Sequence, residues 1–386
     1  MECDTLKRRC AAAAVTAAVL AILYLFVAYT DIKPISTLRD LYIETAMSTM
    51  THQYLAKIFP ESVIKAAMAE TEEQFERNKI EKSKPLDQYA AGPAPDAAGP
   101  ADMSWDTFGR LFPEIDLGTL KPYVDEQDLE RLDVEDPDFD VRTIHGDRVY
   151  AINVPERILI INLKTAEYNG MLAVCGRPED TILGRNRNPD KGSTVTELCE
   201  SYGAVLGMNA SGFYDPDGRG PGHQPVGLVL SQGELSGTHM SGRYQIAGMD
   251  LDDNFVAGYD LDLVDMRDAM QFYPVLISEN ENLADGSFGM GIQPRACIGQ
   301  NLRGSMMFLV VDGRQVGHSI GITVPECAEI LLKYDCYVAM NLDGGSSASM
   351  TYKGRMITRT SSPKSDGRYL PNAWLVLYED KGDTET

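Results

Sequence analysis

The sequence is poor in positive charge. Thirty-five lysines and arginines stand against 57 aspartates and glutamates, a formal net charge of −22. Binding a phosphate backbone needs clustered cations, so nucleic acid is excluded as a partner. Histidine is scarce: five in 386 residues, with no HxH or HxxxH spacing, which speaks against a zinc hydrolase. Seven cysteines form no CxxC pair, which removes zinc knuckles. No Walker A loop occurs, and no histidine is spaced to activate Ser346 or Ser347. No repeat is evident. These absences leave few hydrolase classes standing.

What is present divides the chain. Hydrophobic residues make up 44%, enough for one sizeable core with appendages. Lys7, Arg8 and Arg9 precede an uncharged apolar stretch over residues 10–29, and about 20 such residues cross a bilayer as a helix. The basic cluster predicts a cytoplasmic N-terminus with the bulk of the chain outside. A cleaved signal peptide is the alternative, but Val27-Ala28-Tyr29 is a poor substitute for Ala-x-Ala, and Cys10 lies on the wrong side for a lipoprotein box. An uncleaved signal anchor over residues 1–30 is therefore expected, in a bacterial cell membrane. Residues 31–78 read as a helical stalk or packing segment, 79–105 as a Pro/Ala/Gly-rich linker and 106–140 as an acidic, solvated lead-in. The texture then changes, and 141–380 reads as the catalytic domain. Of its cysteines, Cys175, Cys199, Cys297, Cys327 and Cys336, most are expected as buried small hydrophobes. One disulfide is compatible with them, and spacing does not pair it.

"DRVYAINV", "RILIINLK" and "GMLAVCG" are short runs of β-favouring residues between turn signals. Further strands are expected over 204–209, 226–231, 274–278, 295–299, 306–311, 337–342 and 373–378. Helices are expected over 194–202, with Thr194 as N-cap and Glu197 three residues on, and over 324–334, with Pro325 in the first turn after Thr323. The predicted class is α+β, a strand-rich mixed sheet core with a few helices.

Four polar constellations end apolar runs: "GMNASGFYD" with Asn209 and Asp215, "QPRACIGQ" with Arg295, "FLVVDGR" with Asp312 and Arg314, and "NLDGGSS" with Asp343 and Gly344-Gly345-Ser346-Ser347. Singly, each is an ordinary turn signal. Together, three strands ending on Asn or Asp beside glycine predict convergence on one sheet edge. Glycine-rich backbone next to arginine suits an anion. Two aspartates suit acid, base or nucleophilic work on a glycoside. They would equally suit a hard cation such as Ca²⁺ or Mg²⁺, although the sequence requires no cofactor.

With "QPVGLVLSQGEL", "YPVLI", "SIGITVPECA" and "LPNAWLVL" between and after them, these segments agree in order and spacing with the phosphodiester glycosidase family. The chain resembles that family over roughly residues 141–380. The family includes the lysosomal uncovering enzyme and bacterial exopolysaccharide-related proteins. The resemblance implies an α+β fold and hydrolysis of a sugar 1-phosphodiester at the C1–O bond. It implies a site of Asp343 and Asp312 as catalytic carboxylates, their separate roles open. Asn209, Arg295, Arg314, Gly344, Gly345 and Ser346 would then face the substrate and its phosphate. Ser346 departs from the family's third glycine, adding a hydroxyl where bare backbone is usual. Two other readings compete: a glycan-binding scaffold without turnover, and a metal-dependent phosphodiesterase that cuts P–O.

Overall fold

The computed structural model describes residues 2–49, 52–86, 103–135, 138, 140–218 and 220–378. Most of the expected linker, residues 87–102, lies outside them. The architecture is mixed α+β with three antiparallel sheets. The largest has nine strands in the order β1 (Asp133–Glu135), β2 (Arg148–Asn153), β3 (Ile158–Lys164), β4 (Asn169–Cys175), β15 (Met306–Val311), β14 (Arg295–Asn301), β16 (Cys336–Asn341), β12 (Val275–Ser278) and β13 (Glu281–Asn282). A second sheet runs β10 (Phe255–Gly258), β9 (Gln245–Asp250), β11 (Met266–Phe272), β7 (Leu228–Ser231), β8 (Glu234–Gly237). The third runs β18 (Arg355–Met356), β17 (Met350–Tyr352), β6 (Ala204–Asn209), β19 (Asn372–Leu377), β5 (Thr181–Arg185).

The central strands read as unbroken apolar runs because both faces of the nine-stranded sheet are covered. Along β15, Met307, Leu309 and Val311 join one core cluster while Met306, Phe308 and Val310 join another. The first cluster includes Val324, Cys327, Ala328 and Leu331 of α8 (Val324–Lys333) and Phe108 of α5 (Trp105–Leu111). The second takes in Met208 and Trp374 from the third sheet and Val229 and Met270 from the second. The molecule is therefore layered, with α5 and α8 on one side of the large sheet and two smaller sheets on the other.

Local signals place the helices. In α7 (Val195–Tyr202) the Thr194 hydroxyl accepts from the Glu197 N–H at 3.1 Å, and the Glu197 carboxylate accepts from the Thr194 N–H at 2.7 Å. Gly203 ends this helix at φ 66°, a conformation that favours glycine. The described cysteines are free thiols, all buried but Cys10.

The N-terminal region is helical and packs on the domain. Within α1 (Glu2–Tyr29), Arg9–Tyr29 is long and apolar enough to cross a bilayer, as either a signal sequence or an anchor. Helices α2 (Ile35–Met47), α3 (Glu61–Ala67) and α4 (Thr71–Asn78) follow. From α4, Phe75 enters the same core cluster as Leu309. The Ser83 N–H donates to Ala257 O at 2.8 Å, so the start of the expected linker lies along β10. In the acidic lead-in, α6 (Leu117–Leu120) and β1 bury or pair part of the segment, and Leu129 is fully buried.

Phe308 is fully buried at the sheet's centre. Phe308→Ala is expected to cost about 3–5 kcal/mol, read as a lower urea midpoint at unchanged slope.

Candidate active site

Antiparallel pairing brings three chain ends to one end of the nine-stranded sheet. Arg295, opening β14, is opposite Val311 at the end of β15, and Cys297 is opposite Asn341 at the end of β16. Asp312 and Asp343 follow those two strand ends. The third run does not belong to this sheet. Asn209 ends β6, in the third sheet, paired there with Ala373 of β19. The site thus forms where two sheets meet rather than along one edge, because the two layers pack through the second core cluster.

Asn209 makes the junction. Fully buried, its side chain donates Nδ2–H to the Asp343 carbonyl at 2.6 Å and accepts from the Ser349 N–H at 3.1 Å. The Asp343 N–H donates to Ala210 O at 3.2 Å. Asp343 is consequently held at both backbone ends by the loop after β6. Its half-buried carboxyl is pushed up to about 6, chiefly by burial. The Ser347 hydroxyl and the charges of Arg368 and Arg314 oppose that rise, while Asp215 adds to it.

The glycines after Asp343 have a reason inside the protein. A Cβ on Gly344 would meet Pro294 O at 2.6 Å, and one on Gly345, at φ 61°, would lie 3.1 Å from the Arg314 guanidinium. The Gly345 N–H donates to Pro294 O at 2.9 Å. Bare backbone is needed for the approach of the β14 lead-in and Arg314, before any substrate is considered. Ser346 has no left-handed φ, and Arg368 Nη1 donates to its hydroxyl at 3.4 Å. The family's third glycine is therefore dispensable for the backbone here, and the serine gains a cationic neighbour.

The two expected arginines differ. Arg314 is exposed, donates Nη2–H to Gln293 Oε1 at 2.8 Å, and is near enough to Asp343 to feel its charge. Arg295 is 1% exposed, and its guanidinium donates to the carbonyls of Ile322 (3.1 Å), Met290 (3.1 Å) and Gly291 (2.5 Å). It braces the loop before β14 and places positive charge behind Arg314. Asp312 is also enclosed. Its Oδ2 lies 2.7 Å from His318 Nε2 and its Oδ1 accepts the Arg359 N–H at 2.9 Å. Burial raises its pKa, and these two partners only partly offset the rise.

Three further groups were not among the expected site residues. Arg368 holds Asp215 through two bonds of 2.7 and 2.9 Å and lies over the Phe213 ring, centroid distance 4.8 Å. Burial raises the Asp215 pKa, but Arg368 and the Gly220 N–H outweigh it and leave the group below its usual value. His318 pairs with Asp312 across a turn that its spacing alone could have suggested. Tyr244 is close enough to feel Asp343, stands edge-on to Tyr273 at 4.8 Å, and Tyr273 stacks on Phe272 at 4.9 Å. Arg243 lies 4.8 Å above Tyr273. Among the described residues no three His, Cys, Asp or Glu side chains are grouped to hold a metal ion. Two small clefts, about 260 and 180 Å³, open beside Arg185–Asn188, and neither is lined by Asp343. Chemistry rather than concavity locates the site: a carboxyl with a raised pKa beside two guanidinium groups.

These features define an α+β scaffold carrying a carboxyl flanked by guanidinium groups. Residues 202–377 match the phosphodiester glycosidase family. A bovine N-acetylglucosamine-1-phosphodiester alpha-N-acetylglucosaminidase is 36% identical over 78 residues, 20% of this chain and 14% of the bovine protein. The uncharacterized SPbeta prophage-derived protein YomE of Bacillus subtilis (strain 168) is 28% identical over 219 residues, 50% of this chain and 31% of that protein. The chain thus spans under a third of either curated relative. Among solved structures, the catalytic domain of the zebrafish N-acetylglucosamine-1-phosphodiester alpha-N-acetylglucosaminidase aligns with TM-score 0.47 and 16% identity, covering 57% of this chain and 82% of that one. A hypothetical protein from Synechocystis aligns with TM-score 0.43 and 15% identity, covering 61% and 64%.

The raised Asp343 pKa carries a stability consequence. The folded state holds this proton up to about pH 6, whereas an unfolded aspartate releases it near its ordinary value of 3.8. Stability is therefore lost as pH rises from about 4 to 6. Asp343→Asn is expected to raise the melting temperature at pH 7.5, by a gain on the order of 1–2 kcal/mol, and to leave it near wild type at pH 4. Thermal melts at the two pH values check this.

Proposed function

We propose that this protein is a membrane-anchored, extracytoplasmic phosphodiester glycosidase, hydrolysing the C1–O bond of a sugar 1-phosphodiester of a cell-envelope glycan or exopolysaccharide. The observation that carries the reading is Asp343, held on Asn209 beside Arg314 and Arg368, inside the family-matching region. A phosphodiester leaves as a phosphomonoester anion and needs less protonation than a sugar alcohol would. Arg314 and Arg368 are placed to bear the departing charge. Asp343 supports the oxocarbenium-like carbon, as nucleophile or as base for water. Asp312 acts through His318, whose imidazole it orients. Arg295 serves the phosphate indirectly, by fixing the loop beneath Arg314. No metal is assigned a step. The bovine relative's name makes N-acetylglucosamine the first sugar to try. Anchoring through residues 10–29 fits α1, whose C-terminal end is tied down: Arg39 Nη1 donates to Ala28 O at 3.0 Å and Thr30 O at 3.1 Å.

The test uses detergent-solubilised full-length protein, N-acetylglucosamine 1-phosphodiesters including a nucleotide sugar, and isotopically labelled water. Label in the free sugar is the expected result, undiminished by EDTA. Label in a phosphate product would replace the reading with P–O cleavage, and glycan binding without turnover would make the protein a scaffold. Asp343→Asn is expected to lose at least about 10³-fold in kcat. Because the ionised carboxylate is the working form, kcat/KM should rise with pH through about 6; a fall across that range would reassign Asp343 as the acid.

A further inference from the structure

The segment after α1 reaches the site. In α2, the Thr45 hydroxyl accepts from the Ile292 N–H at 3.0 Å, and a Cβ on Gly291 would lie 2.4 Å from Thr45 N. Glu44 accepts from the Ser287 hydroxyl at 2.7 Å, and Gln74 of α4 accepts from the Phe288 N–H at 2.6 Å. The loop before β14 therefore rests on α2 and α4 along much of its length. At its end stands Gln293, 7% exposed. Its Nε2 donates to Ser48 Oγ at 2.8 Å and to Met290 O at 2.6 Å. Its Oε1 accepts from Arg314 at 2.8 Å.

The orientation of that amide is determined. The Ser48 hydroxyl donates its own proton to Thr45 O at 2.9 Å, so toward Gln293 it can only accept. Met290 O is an acceptor as well. Two acceptors on one side require the NH₂ group there, which leaves the carbonyl oxygen facing Arg314. A flipped amide would set Nη2–H against N–H. With Arg39 fastening α2 to the end of α1, an unbroken set of contacts runs from the apolar helix to the exposed site arginine.

We infer that residues 35–49 are a working part of the site, and that Gln293, set by Ser48, is the positioning residue that aims Arg314 at the substrate's phosphate. This rests on the phosphodiester reading for its substrate. It gives the segment next to the apolar helix a role that a stalk would not have.

The experiment compares full-length wild type with Ser48→Ala, Ser48→Thr and Gln293→Leu. Ser48→Ala removes a partly exposed hydroxyl and leaves the core untouched, so it remains informative if Gln293→Leu folds poorly. In Ser48→Ala, KM for the phosphodiester and the dissociation constant of inorganic phosphate should both rise roughly tenfold, as expected for losing orientation of a hydrogen bond to a charged group. Affinity for the uncharged sugar product and the melting temperature should stay near wild type, while kcat falls because Arg314 no longer meets the departing charge squarely. Ser48→Thr, which keeps the hydroxyl, should recover phosphate binding. Equal phosphate affinity in all variants would overturn the inference. So would weakening shared by sugar and phosphate with a lower melting temperature, or a gain in activity, which would mean that the segment obstructs the site. If wild type binds phosphate but turns nothing over, the enzymatic reading fails while the phosphate titrations still decide the role of Gln293. If wild type binds no phosphate, Arg314 is not a phosphate ligand and the inference falls with it.

Discussion

The buried amide of Asn209 is the contact on which the site depends. One side chain at the end of β6 bonds the Asp343 carbonyl and the Ser349 N–H, joining the third sheet to the loop that follows β16. A primary amide suits this place because it offers a donor and an acceptor on opposite sides and carries no charge to desolvate. Fully buried, it has no water to substitute for a lost partner. The two sheets are thereby locked at the depth where Asp343 emerges, and the direction of its carboxyl follows from packing of the layers below.

Around this clasp the electrostatics are local. The chain's net charge of −22 does not set the field at the candidate site, because screening confines each surface charge to about 10 Å at moderate salt. The charges nearest Asp343 are Arg314, which itself feels Arg295, and Arg368. Asp215 holds Arg368 in place through a bidentate pair, the geometry in which a guanidinium is best oriented. The second carboxylate of the site, Asp312, is withdrawn from solvent and works on His318. The two aspartates that look equivalent in sequence are distinct in structure: one has an open face and a near-neutral pKa, the other has both oxygens engaged.

Much of the frame could be read along the chain. Strands end at Asn209, Val311 and Asn341, next to where the apolar runs end, because each run is followed at once by a turn or by glycine. The capping box at Thr194 and Glu197 forms as spaced, since both partners are three residues apart and need nothing from elsewhere. The helices between residues 35 and 78 were legible from their apolar spacing, and α3 begins just after Pro60. Arg368 was not legible, because no local pattern links it to Asp215 across 153 residues. Tyr244 and Tyr273 come from different segments and meet edge to face only in the fold. Gly344 and Gly345 were legible as glycines needing a reason, but the reason, contact with Pro294 and Arg314, belongs to a neighbouring strand.

By itself the sequence determined the α+β class, the strand ends that carry Asn209, Arg295, Asp312 and Asp343, the apolar N-terminal helix and the resemblance to phosphodiester glycosidases. Those features depend on period, turn chemistry and residue order, which are local. The tertiary structure alone decided that two sheets rather than one make the site, that Arg295 braces while Arg314 faces outward, that Asp312 serves a histidine, and that the segment after the apolar helix supports the loop holding Gln293. Each of these turns on which distant groups share a hydrogen bond or a desolvated space, and that is set by the packing of layers.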